Sequence, residues 1–241
     1  MKLAVLGYPI LHSLSPKIFS YLSQLAQIPL DYSILEIKPE NFLNEHKRLL
    51  DFDGLNITSP YKQKVLEFTK QKSQEVVALN ACNVIKNDVG VLKAFNTDIF
   101  GLQKTLQSYF KVSQISNHEA VLILGEGGAA RATQYALKQM GFEKVYFHSR
   151  RNTQDFTQAE TPAVVINATP IGMNGNFEEK DLNLFNFPWQ NIRLAYDLIY
   201  RPNQTIFMQY AKKNGVAQIE NGLDMLIYQA FKTFEIWFGK N

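Results

Sequence analysis

Ala120-Val121-Leu122-Ile123-Leu124-Gly125-Glu126-Gly127-Gly128-Ala129-Ala130-Arg131 is the stretch that decides the fold. Its five consecutive apolar residues, closed by glycine, read as a buried strand. Gly125, Gly127 and Gly128 read as a turn, and Ala129 to Met140 as a helix stopped by Gly141. A strand led through a glycine turn into a helix aims backbone N–H groups at the helix N-terminus, where a pyrophosphate can bind. The spacing departs from strict G-x-G-x-x-G, so the strand–turn–helix context carries the assignment. Glu126 puts a carboxylate inside the loop and is expected to point away from any phosphate.

Downstream, Val145-Tyr146-Phe147 reads as the next strand and leads into Ser149-Arg150-Arg151. A site for NAD usually carries an acidic residue in this region, to hold the ribose 2′-hydroxyl. Two guanidinium groups suit a 2′-phosphate instead, which favours NADP. Residues 152–161 leave room for a helical stub but not for another strand, so the adenine-side edge of the sheet is expected to be reduced. Val164-Val165-Ile166 and Leu194-Ala195-Tyr196 read as further strands, Thr205 to Lys213 as a helix, and Leu223 to Phe238 as the last helix.

Upstream, Leu3 to Leu6 reads as a strand and Ser15-Pro16 as a helix start, with Ser15 the N-cap. Tyr32 to Leu35 reads as a strand, Pro39 to Leu50 as an amphipathic helix, and Gly54 to Ile57 as a third strand. Ser59-Pro60 then reads as a helix start. Cys82 to Ile85 and Val91 to Ala94 flank Asn87-Asp88 and Gly90 as a hairpin, and a helix runs from Thr97 or Asp98 to about Phe110. Alternating strands and helices specify an α/β fold with largely parallel sheet. The domain boundary is expected near residues 111–119 or just before the preceding helix.

The 241 residues, 46% hydrophobic and 20% charged, can bury a substantial core as one large or two small domains. The net charge of +3 is scattered, with no Lys/Arg run to track a nucleic-acid backbone. Cys82 is the single cysteine, and the four histidines show no ligand spacing, so neither disulfide nor metal is expected. No signal peptide or membrane-spanning run is apparent, and the cytoplasm is the expected compartment.

Chemistry concentrates in Asn56-Ile57-Thr58-Ser59-Pro60-Tyr61-Lys62 and Asn96-Thr97-Asp98. Together they supply a lysine, a carboxylate, two amides and two threonines. Lys62 falls at the carboxyl end of a strand, where open α/β sheets bind ligands. A lysine beside a carboxylate can hold or release a proton during carbonyl reduction, and Asp98 is the natural partner, although alone it reads first as an N-cap. His12-Ser13-Leu14-Ser15-Pro16 offers two hydroxyls at a helix entry, one for capping and one for a carboxylate ligand.

These motifs, in this order, make the chain resemble shikimate dehydrogenase. The matching stretches are Gly7-Tyr8-Pro9-Ile10, the two-serine motif, Asn56-Ile57-Thr58 with Pro60-Tyr61-Lys62, Asn83, Asn96-Thr97-Asp98 and the Gly125 loop to Arg131. They continue through Ser149-Arg150, Asn167-Ala168-Thr169-Pro170-Ile171-Gly172-Met173, Asp197-Leu198-Ile199-Tyr200, Asn221-Gly222-Leu223, Met225-Leu226 and Gln229-Ala230. The resemblance implies NADP-dependent, reversible reduction of 3-dehydroshikimate to shikimate, in aromatic amino acid biosynthesis through chorismate. It implies that Ser13 and Ser15 bind the substrate carboxylate. Asn56, Thr58, Asn83, Asp98, Tyr200 and Gln229 would line the substrate site, and Lys62 with Asp98 would form the catalytic pair. Gly125, Gly127, Gly128, Ala129, Ser149, Arg150, Arg151, Thr169 and Gly222 would serve the cofactor. It further implies a substrate domain at residues 1–100, completed by a C-terminal helix at 221–241, and an abbreviated Rossmann-like domain at 101–220, with a cleft between them. The expected partner is a small-molecule substrate, with no nucleic acid and no membrane, in a monomer or homodimer.

The chain also departs from the family. Ile99 stands where glycine is usual, Cys82 and Val84 flank Asn83 in place of valine and threonine, the segment after Arg151 is shorter, and the C-terminus stops soon after Trp237. Two alternatives stay open: a quinate/shikimate dehydrogenase of broader specificity, and a non-catalytic ligand-binding paralogue.

Overall fold

The computed structural model describes residues 1–150, 161–175 and 177–239. The chain divides into two compact units, Met1–Phe100 with Ile227–Asn241, and Gly101–Leu226.

The first unit is built from β1 (Lys2–Gly7), α1 (Ser15–Ala26), β2 (Asp31–Glu36), α2 (Phe42–Glu45), β3 (Gly54–Ile57), β4 (Gln71–Lys72), α3 (Gln74–Leu79), β5 (Val84–Asp88) and β6 (Val91–Phe95). These strands form one sheet in the order β2-β1-β3-β5-β6-β4. The β1–β2, β1–β3 and β4–β6 pairings are parallel, and β3–β5 and β5–β6 are antiparallel. β1 and β3 are almost wholly buried, as strands inside a covered sheet are, with Asn56 the buried polar residue of β3. The hairpin turns at Val89 and Gly90, both with positive φ, the geometry that suits the twist of two paired strands.

The connections are more irregular than the sequence suggests. The helix expected over Pro39–Leu50 is one turn, α2, followed by a 3₁₀ turn over His46–Asp51. Phe42 and Leu49 are buried while Leu43 and Leu50 face solvent, so the apolar face is too narrow to support a long helix. No α-helix begins at Ser59-Pro60. The amide of Tyr61 bonds back to the carbonyl of Thr58, and a 3₁₀ turn follows over Lys64–Phe68. Ser15 is not an N-cap but the first helical residue of α1, and its N–H donates to Ser13 Oγ.

The chain passes between the units through α4 (Asp98–Val112). The second unit contains β7 (Val121–Leu124), α5 (Gly128–Gln139), β8 (Val145–His148), β9 (Val164–Asn167), β10 (Leu194–Asp197), α6 (Ile206–Lys213) and β11 (Gln218–Glu220). Its described strands form an all-parallel sheet in the order β11-β10-β9-β7-β8. β7, β9 and β10 are buried along their whole length, as apolar runs in a doubly covered sheet must be, and β9 and β10 each close on a buried polar residue, Asn167 and Asp197. After β7 the chain visits β8 on one side and returns to β9 on the other. The order therefore reverses at β7, and the carboxyl ends of β7 and β9 flank the crevice in which such sheets bind ligands. Among the described strands β8 is an edge, and Arg151 lies outside the described residues.

The last helix, α7 (Leu223–Phe238), returns to the first unit for most of its length. There Trp237 packs on Phe19 at 5.0 Å between ring centroids and donates from Nε1 to the carbonyl of Ile85. Gly54 makes this possible, because a Cβ there would lie 2.4 Å from Trp237 Nε1.

Candidate functional site

Each unit holds its own polar cluster at the carboxyl ends of its strands. In the first, β3 ends at Ile57 and the turn after it carries Thr58 and Lys62. The turn is anchored by Tyr61, whose buried ring stacks on Phe42 and whose hydroxyl donates to the Ile37 carbonyl. The Cys82 amide donates to the Lys62 carbonyl, fixing the lysine backbone to the segment that leads into β5. Its ammonium reaches Asp98 Oδ2 at 2.6 Å, with the lysine side chain 36% exposed and the aspartate 17%.

Asp98 is the first residue of α4 and does not use its carboxylate as a cap. The Asn96 side chain accepts from the Asp98 N–H instead, leaving both carboxylate oxygens for other partners. Oδ1 accepts from Asn83 Nδ2 at 2.8 Å. Asn83 is buried, and its amide also lies within reach of Thr97 Oγ1 and of Gln229 Oε1 on α7. Asn83 Oδ1 accepts the Thr97 N–H at 2.7 Å. Thr97 Oγ1 in turn meets Thr233 Oγ1 at 3.0 Å, and Thr233 donates to the Gln229 carbonyl one turn back on α7. One carboxylate is thereby held by a cation on one oxygen and a buried amide on the other, so its orientation is fixed while the lysine keeps access to solvent.

Asn56 and Ser15 are joined by a residue that sequence reading missed. The Tyr32 hydroxyl donates to Asn56 Oδ1 at 2.7 Å and also bonds the Ser15 side chain; burial pushes its pKa up. No local pattern marks this tyrosine. It reaches Asn56 because β1 lies between β2 and β3 and sets their register. Ser13, Ser15 and Thr58 are half-buried.

In the second unit Gly125 follows β7 with φ near +99°, a conformation that favours glycine. A Cβ on it would come within 3.0 Å of Thr169 Cγ2, so the two turns flanking the crevice approach closely here. Gly127, Gly128 and Ala129 are exposed, and Cβ atoms added to the two glycines would meet nothing within 4 Å. An open glycine surface at the start of a 12-residue helix fits a pyrophosphate. Ser149 is buried and Arg150 exposed, where β8 ends. Arg150 pairs with Asp181, a partner that the sequence does not signal.

Thr169 is held by Asn167, whose Oδ1 accepts both its N–H and its hydroxyl. Tyr200 is half-buried, and burial lifts its phenol pKa. Gly222 donates its N–H to the Ile199 carbonyl, and a Cβ there would strike the Leu198 oxygen at 2.2 Å. A separate cavity of about 560 Å³, lined by His118, Lys144, Tyr146 and Arg193 among others, opens at the amino ends of β7, β8 and β10. It lies away from the crevice and contains none of the predicted site residues. Among the described residues no cluster of three or more His, Cys, Asp or Glu could hold a metal, and no helix is long and apolar enough to cross a membrane.

Comparison with known proteins gives the family. The family described as shikimate dehydrogenase substrate binding domain matches residues 5–85, and the shikimate 5′-dehydrogenase C-terminal domain matches residues 222–241. A shikimate dehydrogenase (NADP(+)) from Caldicellulosiruptor bescii is 33% identical, with 98% of this chain and 89% of that protein covered. One from Thermotoga maritima is 32% identical, with 98% and 93% covered. Among solved structures, shikimate dehydrogenase 1 from Peptoclostridium difficile superposes with a TM-score of 0.81 at 30% identity, covering 100% of this chain and 92% of that one. The shikimate 5-dehydrogenase of Thermus thermophilus, in complex with NADP(H) and shikimate, gives a TM-score of 0.83 at 28% identity, covering 100% and 94%. The sequence identity over nearly the whole chain, together with the two-unit fold and a Rossmann-like second sheet, places the chain in the shikimate dehydrogenase family.

Proposed function

We propose that the protein catalyses the NADP-dependent reversible reduction of 3-dehydroshikimate to shikimate. The observation that carries this is the 2.6 Å Lys62–Asp98 pair, with its second carboxylate oxygen held by Asn83. NADP(H), when bound, supplies or accepts the hydride. The protein's part is to place the ring and to move one proton. Lys62 Nζ–H would donate its proton to the carbonyl oxygen of the substrate, Asp98 would stay a carboxylate that holds and stabilises the ammonium, and water at the exposed side of the lysine would replace the proton given up. Asn83, Gln229 and Thr58 present donors and acceptors to the ring hydroxyls. Ser13, Ser15 and Asn56 take the carboxylate side, and Tyr200 completes the set.

The glycine loop at Gly125, Gly127, Gly128 and Ala129 takes the pyrophosphate, with Thr169 and Gly222 toward the nicotinamide. Ser149, Arg150 and Arg151 take the 2′-phosphate, whose two negative charges suit guanidinium groups. In this reading Met1–Phe100 with the end of α7 is the substrate domain and Gly101–Leu226 the cofactor domain, working in the cytoplasm.

The test is the absorbance of reduced nicotinamide with purified protein and 3-dehydroshikimate, using NADPH and NADH side by side. Shikimate and quinate are compared in the reverse direction. Rapid loss of NADPH with shikimate preferred supports the reading. Binding of ligands by a folded protein without turnover of any pair would overturn it.

A further inference from the structure

Asp197 closes β10 and is fully buried, yet the mechanism does not use it. Its three hydrogen-bond partners among the described residues are neutral donors. Oδ1 accepts from Asn167 Nδ2 and from the Ile199 N–H, both at 3.0 Å, and Oδ2 accepts from Thr205 Oγ1 at 2.5 Å. Burial without a cation lifts its carboxyl pKa to about 6. A carboxylate kept in such a place is expensive, and replacement by a neutral side chain would ordinarily relieve the burial penalty.

What the carboxylate holds gives it a role. Asn167 stands opposite Asp197 in the β9–β10 register. With its amide nitrogen committed to Asp197, Asn167 turns its oxygen toward the Thr169 N–H and hydroxyl. On the other side, the Ile199 N–H fixes the segment running to Tyr200. That segment is backed by Gly222, whose N–H bonds the Ile199 carbonyl and whose missing Cβ leaves room for Leu198. One carboxylate therefore sets the backbone of two turns, each carrying a residue proposed for the ligands.

We infer that Asp197 is a positioning residue for the nicotinamide nucleotide, orienting the Thr169 turn through Asn167 and, through Ile199, the segment that bonds Gly222. The inference rests on the proposed function. It requires that geometry, and not merely stability, be lost when the carboxylate is changed. An asparagine at 197 keeps the shape but turns one acceptor into a donor facing donors. An alanine at 167 leaves Asp197 two of its partners and cuts only the arm to Thr169.

The experiment is fluorescence titration of NADPH into the wild-type chain and into Asp197→Asn, Asn167→Ala and Thr205→Val, with thermal melting of each and steady-state kinetics alongside. Asp197→Asn and Asn167→Ala are expected to raise the Kd for NADPH about tenfold and KM for NADPH in parallel, with a smaller change in KM for 3-dehydroshikimate. Thr205→Val removes the α6 cap and is expected to lower the melting temperature with little change in Kd. Folded Asp197→Asn with wild-type Kd overturns the inference. If that variant does not fold, Asn167→Ala decides by the same criterion. Failure of both to fold would make the network structural and would also overturn it. A wild-type chain that binds no NADPH would sink the proposed function instead, before any variant is compared.

Discussion

Asp98 and Asp197 are both aspartates placed at the carboxyl ends of strands in α/β units, and their surroundings are opposite. Asp98 is partly exposed, paired with the Lys62 ammonium at 2.6 Å, and oriented by one buried amide. Asp197 is wholly buried and surrounded by an amide, a hydroxyl and a backbone N–H, with no charged group among its described partners. A lysine at the first site can exchange protons with a ligand and with water. At the second, three donors fix a shape and nothing can approach. The difference separates a site arranged for chemistry from one arranged for geometry, and it predicts that the two will fail in different ways.

Lys62→Ala should give the largest effect. Removing a positioned proton donor costs about 10³ in kcat. The lysine is one-third exposed and its backbone bond from Cys82 is kept, so the melting temperature should hardly move. Steady-state kinetics and melting measured on the same preparation check this. Near-normal turnover would remove Lys62 from the reaction and collapse the contrast with Asp197.

Asp197 should show itself in stability against pH. An unfolded aspartate titrates near 3.8, whereas the buried one titrates near 6. The folded state therefore keeps the proton to higher pH. The stabilisation is complete below the unfolded pKa and is lost as pH rises from about 4 to about 6, amounting to about 3 kcal/mol. Asp197→Asn should abolish that part of the slope. Urea denaturation at pH 4.5 and 7 for both proteins measures it, and an unchanged slope in the variant would show that Asp197 does not titrate in this range.

How far all this was legible follows from the same contrast between near and distant partners. β1, β3, β7, β9 and β10 are short buried strands whose apolar runs announce them, and the glycine turn announces α5. Lys62 and Asp98 are visible as unusual residues at strand ends, 36 residues apart, and Asp98 reads as the natural partner, but only the fold shows that the two meet. Gln229, 146 residues from Asn83, came only through family resemblance. Tyr32 and Asp181 gave no sign, because each acts on a residue brought near by sheet order or chain return. Asp197 sat in a recognised motif without a role, since its partner Asn167 is defined only once the β9–β10 register exists. The helix expected from Pro39 fails for a local reason: the spacing signal is present, but too little apolar face is available to stabilise more than a turn.

Gly54→Ala tests whether the Asp98 site depends on packing as well as on its ion pair. The added methyl would strike the Trp237 ring, which is held in place by Phe19 packed against it and by its N–H bond to the Ile85 carbonyl. Overpacking of this kind costs about 2 kcal/mol, read by urea denaturation. Gln229 lies on the same helix, so KM for the substrate should rise while Kd for NADPH stays constant. Loss of NADPH affinity alone would break the assignment of the two clusters to different ligands.

The smallest effect concerns a third aspartate, intermediate between the first two. Asp181 is mostly buried, but its partner Arg150 is largely exposed, and the pair occupies the guanidinium proposed for the 2′-phosphate. The guanidinium stays open to solvent, which screens its attraction to Asp181, so phosphate can compete for the arginine. Asp181→Asn should release Arg150 and lower KM for NADPH about threefold, leaving NADH unchanged because NADH lacks the phosphate. Arg150→Leu should raise KM for NADPH by more than that and also spare NADH. If Asp181→Asn instead weakens both nucleotides equally, the aspartate's bond to the Glu178 N–H is its real contribution, and Asp181 belongs with Asp197 as a residue that holds backbone rather than one that tunes charge.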